Sequence, residues 1–92
     1  MIRSFRCQET RTIHEGFPSR QFRGIQDQAR KKLRWLDAAT SLADLGAIRG
    51  NRLEALKGDR DGQHSIRIND RWRICFSWRD GNAHDVEIVD YH

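Results

Sequence analysis

Ser65-Ile66-Arg67-Ile68-Asn69-Asp70-Arg71-Trp72-Arg73-Ile74-Cys75-Phe76-Ser77-Trp78 is the stretch from which the architecture is read. Apolar residues fall on every second position either side of Asn69-Asp70, and strand side chains alternate between the two faces of a sheet. Ile66 and Ile68 must share a face with Trp72, Ile74, Phe76 and Trp78, which leaves Arg67 and Arg73 on the other. A two-residue Asn69-Asp70 turn would oppose Ile66 to Arg73 and bring the wrong faces together. A three-residue connection or a bulge is therefore predicted, with Arg67 opposite Arg73. The same parity applies to the next hairpin, through Asp80-Gly81-Asn82. It asks for an odd loop or a bulge around Gly81, so that Phe76 faces Val86 and Ile74 faces Ile88.

Outward from this core, strands are expected at about 63–68, 71–79 and 84–90, with a short one between Leu53 and Leu56. Lys57-Gly58-Asp59-Arg60-Asp61-Gly62 is rich in turn formers. From about Phe22 to Leu42 the spacing becomes helical: Ile25, Ala29, Leu33, Leu36 and Ala39 form one face for the sheet. Arg30, Lys31 and Arg34 lie off that line, as a solvated surface or, second, a contact with a partner or ribosomal RNA. Ala43-Asp44-Leu45-Gly46 is read as the end of this helix. Met1 to about Arg6 reads as a first strand and Gln8 to about His14 as one or two helical turns. His14 to Arg20, with Gly16 and the chain's single proline, reads as a mobile loop. The fold class is α+β, and residues 1–92 make one domain, since a second would lack a core of its own.

Composition narrows the function. Hydrophobic residues are 37% and charged residues 33% of the chain, which, with eight aromatic residues, suits a folded domain rather than a disordered one. The net charge of +4 and pI near 9.7 favour a polyanionic partner, because a basic domain attracts nucleic acid through a long-range, salt-sensitive field. Cys7 and Cys75 are too few for a disulfide framework and lack metal-ligand spacing. His14, His64 and His84 form no HxH or HExxH arrangement, so no metal site is expected and no cofactor is implied. No apolar run suggests a signal peptide or a membrane span, and the expected location is the cytoplasm.

The chemistry concentrates in the last forty residues. Opposed arginines repel unless an anion lies between them or each finds a carboxylate such as Asp85 or Glu87. Guanidinium groups offer bidentate donors that suit phosphate, and Arg67, Arg71 and Arg73 with Lys57 and Arg60 are expected to form one cationic patch. The sequence closes on Asp90-Tyr91-His92, an acid, a phenol and an imidazole. Cleaving RNA requires a 2′-hydroxyl to lose its proton, a pentavalent phosphorane to be stabilised and the 5′-oxygen to gain a proton. These residue types supply all three without a metal. In an extended strand Asp90 and His92 point one way and Tyr91 the other.

Asn51-Arg52-Leu53-Glu54-Ala55-Leu56-Lys57-Gly58-Asp59-Arg60, the Ser65-Ile66 strand, Trp72-Arg73 and the closing Val89-Asp90-Tyr91-His92 together resemble the HigB toxins of the RelE-like superfamily. The opening Met1-Ile2-Arg3-Ser4-Phe5 and the helix Ala29–Thr40, with Leu36-Asp37-Ala38-Ala39-Thr40, extend the likeness over almost the whole chain. The resemblance implies a small, twisted, largely antiparallel sheet with N-terminal helices packed on one face. It implies the toxin of a type II toxin–antitoxin system: a ribosome-dependent, metal-independent mRNA endonuclease that inhibits translation. It assigns the catalytic tail to Asp90, Tyr91 and His92 and the phosphate-binding basics to Lys57, Arg60 and Arg73; strand alternation adds Arg67 and Arg71. Glu54 stands where some members carry a histidine. Either Glu54 acts as a base or orients a basic neighbour, or the imidazole's contribution is missing. The implied partners are the ribosome with its mRNA, a HigA-type helix-turn-helix antitoxin, and operator DNA reached through the antitoxin complex. The alternatives are a non-catalytic RNA- or ribosome-binding module, or a subunit that binds the antitoxin and tunes operator binding.

Overall fold

The computed structural model describes residues 1–90; Tyr91 and His92, both assigned to the site by the sequence, lie outside the described residues. Three helices come first: α1 (Gln8–His14), α2 (Gln26–Ala38) and α3 (Leu42–Gly46). The strands β1 (Glu54–Ala55), β2 (Gln63–Arg67), β3 (Trp72–Arg79) and β4 (Asn82–Asp90) follow, with 3-10 turns at Arg49–Asn51 and Gly58–Arg60. The four strands pair in sequence order as an antiparallel meander.

Both hairpins obey the parity argument. Arg67 opposes Arg73 and Ile66 opposes Ile74. The Ile68 amide donates to the Trp72 carbonyl at 2.9 Å, so Asn69-Asp70-Arg71 is the three-residue connection. Asn69 Oδ1 accepts from the amides of Arg71 and Trp72 at 2.8 and 2.9 Å, an Asx turn that closes the loop. In the second hairpin Ile74 opposes Ile88. The turn there has two residues, Asp80 and Gly81, with φ of +52° and +76°, the left-handed pair of a type I′ turn. The parity is corrected further along: the register shifts between Cys75 and Ser77, where Asp85 (φ +53°) and Val86 together oppose Phe76. The bulge keeps Phe76 and Val86 on one face, and both are fully buried.

That face carries Ile66, Ile68, Ile74, Phe76, Val86 and Ile88, and it packs against Ile13, Ala29, Leu33, Leu36 and Leu45 from the helices. The expected long helix is two helices. Ala39 turns extended (ψ 138°), and Ser41 begins α3 with a capping box in which its side chain accepts from the Asp44 amide. Asp44 answers through the amides of Thr40 and Ser41, so Ala43-Asp44-Leu45-Gly46 is itself helical. The expected first strand is reduced to isolated parallel bridges, Ile2 with Ala83 and Phe5 with Val86, because the bulge breaks the outer edge of β4 between them. Thr10 Oγ1 takes the next β4 donor, the amide of Ile88, at 3.0 Å. The loop from His14 to Arg20 has bonds to its neighbours: Arg30 donates to the carbonyls of Ile13 and Phe17, and Ser19 Oγ donates to Glu9.

Candidate active site

The face of the sheet turned away from the helices carries the polar set. Register places Glu54 beside Ser65, Ser65 beside Cys75 and Cys75 beside Glu87, one row crossing all four strands. Above this row lies a cleft of about 480 Å³ lined by Glu54, Ala55, Leu56, Lys57, Arg60, Cys75, Val89 and Asp90. The structure thus brings Glu54, Lys57, Arg60 and Asp90 together around one open volume. Glu54 and Asp90 come from the two outer strands, and the two cations from the connection between β1 and β2.

Arg73 stands beside the cleft rather than among the residues that line it. It is only 7% exposed. Its Nε donates to Ser65 Oγ at 2.7 Å and its Nη2 to the Arg52 carbonyl at 2.7 Å. The Arg52 carbonyl faces it because Arg52 is left-handed (φ +44°) at the end of a 3-10 turn. That turn is held by fully buried Asn51, whose Nδ2 donates to the Leu45 carbonyl at 3.1 Å and whose Oδ1 accepts from Lys32 Nζ at 2.6 Å. Asn51, Arg52 and Ser65 therefore set the position of Arg73 and of the β1 edge that bears Glu54.

Arg60 Nη1 donates to Glu87 Oε1 at 2.7 Å and to Gln63 Oε1 at 3.1 Å. The Glu87 hydrogen bond holds the Arg60 guanidinium firmly protonated, above its ordinary range. Its Nε and Nη2 have no partner among the described residues, and Lys57 has no ion-pair partner there. Cys75 forms the floor of the cleft, and burial pushes its thiol pKa up, which disfavours the thiolate a nucleophile needs.

The expected single cationic patch divides. Arg67 pairs with Asp70 in its own hairpin loop. Arg71 Nη2 meets Asp90 Oδ2 at 2.8 Å and the guanidinium lies 5.0 Å from the Trp72 ring centroid. The Asp90 bond raises the Arg71 pKa. Neither arginine lines the cleft, and neither Arg67 nor Arg73 uses Asp85 or Glu87. Arg71 therefore tethers one of the acids. The sequence marked no site role for Ser65, Asn51 or Cys75, and Glu87, one of the carboxylates open to Arg67 or Arg73, pairs with Arg60 instead. The fixed register of Glu54, Ser65, Cys75 and Glu87 was the signal that could have grouped three of them. Among the described residues no cluster of three or more His, Cys, Asp or Glu side chains could hold a metal ion. No described helix is long and apolar enough to cross a membrane.

Residues 5–92 match the family model of HigB-like toxins, described as the RelE-like toxin of type II toxin–antitoxin system HigB. The Endoribonuclease HigB of Proteus vulgaris is 33% identical over the full length of both chains. Toxin HigB-1 of Vibrio cholerae serotype O1 is 44% identical over 59 residues, covering 64% of this chain and 62% of that one. Among solved structures, the YoeB-YefM toxin-antitoxin heterotetramer of Staphylococcus aureus contains a chain that superposes with a TM-score of 0.60 at 23% identity. The match covers 100% of this chain and 98% of that chain and speaks to the fold. The YoeB dimer of the same organism gives 0.56 at 18% identity, covering 99% of this chain and 97% of that one.

Proposed function

Since the chain belongs to the HigB family of RelE-like toxins from type II toxin–antitoxin systems, we propose that it is a ribosome-dependent endoribonuclease that cuts messenger RNA without a metal and so stops translation. The observation that carries this reading is the shared cleft, whose lining includes the cations Lys57 and Arg60 and the acidic residues Glu54 and Asp90.

The chemistry divides among them. The scissile phosphate sits against Lys57 and the uncommitted side of the Arg60 guanidinium, with Arg73 adding positive charge from below. As the 2′-oxygen attacks phosphorus and the bond to the 5′-oxygen breaks, negative charge grows on the non-bridging oxygens, where these cations stabilise it. One proton leaves the 2′-hydroxyl and one reaches the departing 5′-oxygen. Glu54, Asp90, Tyr91 and His92 share these transfers and the orientation of the reacting groups. Arg71 belongs to this scheme as the tether of Asp90, and Arg67 as a peripheral phosphate contact once Asp70 gives way. The charge term comes from side chains, so no metal enters the scheme.

In this reading the partners are the ribosome with its message, a HigA-type helix-turn-helix antitoxin, and operator DNA contacted through the toxin–antitoxin complex. The site of action is the cytoplasm. The experiment is primer-extension mapping of a defined message in a translating extract supplied with the purified chain. Discrete new ends that appear only with ribosomes present are expected. Ribosome binding without new ends would favour a non-catalytic ribosome-binding module.

A further inference from the structure

Helix α2 carries a surface that the proposed reaction leaves unused. Ala29, Leu33 and Leu36 bury one side of the helix against Ile74, Phe76 and Ile88, so its exposed side lies across the sheet from the cleft. Trp35, half-buried, is common to two depressions there. One of about 420 Å³, cationic in balance, is bordered by Arg30, Lys31 and Arg34 together with the exposed carboxylate of Asp27. An apolar one of about 230 Å³ is bordered by Ala38, Leu45 and Ile48.

The cations differ in availability. Arg30 is committed to the carbonyls of Ile13 and Phe17 and lies 3.7 Å from Asp27. Lys31 and Lys32 each place their ammonium 4.9 Å from the Trp35 ring centroid, and Lys32 is also bound to Asn51. Lys31 and Arg34 are exposed and have no carboxylate partner among the described residues. At the far end of the apolar slot stands Asp44, whose carboxylate is taken up by Thr40 and Ser41. An occupant must therefore be apolar over the slot and negative on the α2 side only.

We propose that this surface docks an acidic amphipathic segment of a protein partner, with one apolar anchor seated against Trp35, Ala38 and Ile48 and carboxylates on Lys31 and Arg34. Charge complementarity decides the sign, and the aliphatic slot decides the class. A sugar–phosphate strand could use the cations and the indole but has no aliphatic side chain for the slot. Because the surface lies behind the sheet, a partner held here leaves the cleft open.

The test is a fluorescence-anisotropy titration of the full chain with a labelled helical peptide of about five turns, carrying leucine along one face and glutamate on the flanks. The same peptide with lysine in place of glutamate, and a single-stranded oligouridine, are run in parallel. The glutamate peptide should bind, and the lysine peptide at least about tenfold more weakly. Lys31→Glu with Arg34→Glu should cost about tenfold or more, as should Ile48→Asp, while Arg60→Ala changes nothing. Lys31 and Arg34 are exposed, so that double variant folds even if Ile48→Asp does not. Equal or absent binding of the two peptides, or binding that follows Arg60, overturns the proposal. Displacement of the peptide by oligouridine assigns the surface to RNA and overturns it too.

Discussion

The two faces of the sheet are made by the same alternating strands, yet they are organised by different forces. On the helix-covered face, Ile66, Ile74, Phe76, Val86 and Ile88 share one environment, and each is at most 5% exposed. Any of them turned to water would forfeit about 1.5–3 kcal/mol of burial, so the face has one workable register. On the open face, opposed Arg67 and Arg73 have different fates: one pairs with a neighbouring aspartate in its own loop, the other is buried on a serine and a carbonyl. Polar side chains choose among several partners at similar free energy, and non-local backbone makes the choice. The contrast teaches that burial sets the scaffold and individual hydrogen bonds set the site.

Substitutions on the two faces sharpen this. The largest effect is expected for Phe76→Ala, about 3–5 kcal/mol in urea denaturation, a large share of a small domain's total stability. Cys75→Ser, one residue along and on the other face, should cost much less. Comparable losses at both positions would break the division. Next comes Arg73→Ala, which should lose about 1–3 kcal/mol because Ser65 and the Arg52 carbonyl lose their donor. It should also slow RNA cleavage, whereas Arg67→Ala should leave stability within about 0.5 kcal/mol. A loss between those two is expected at the cap of α3, where Ser41→Ala should cost about 1 kcal/mol.

The cap also has a pH signature. The Thr40 amide and hydroxyl, then the Ser41 groups, hold the Asp44 carboxyl below its usual range. Its folded pKa lies under its unfolded value, so the stabilisation is complete above about pH 4–5. It is lost as the pH falls through the folded pKa. Asp44→Asn should flatten that part of the acid limb in urea midpoints recorded against pH.

Legibility followed the same division. Period-two alternation decided both registers and the need for a bulge, since a slip of one residue would have exposed the core. It did not decide where the bulge sits, because Asp85 and the turn at Gly81 satisfy the same parity. The break at Ala39 to Ser41 was written as a capping box, Ser41 to Asp44, but the apolar spacing running through it concealed the signal. Lys57 and Arg60 were readable together because one turn carries them, whereas Glu54 entered only through the family resemblance. Arg71 was misleading for the opposite reason: its partner, Asp90, lies nineteen residues away on another strand. The anchoring of Arg73 by Arg52 likewise depends on a left-handed residue that nothing in its local sequence marks.

The most direct test of the cleft is the cleavage rate of a ribosome-bound message under single-turnover conditions, compared among wild type, Lys57→Ala, Arg60→Ala and Lys31→Ala. Each cleft variant should be slowed at least about tenfold, equivalent to about 1.4 kcal/mol of lost transition-state stabilisation, with Lys31→Ala at the wild-type rate. Wild-type rates for both Lys57→Ala and Arg60→Ala would contradict the assignment of this cleft to the reaction.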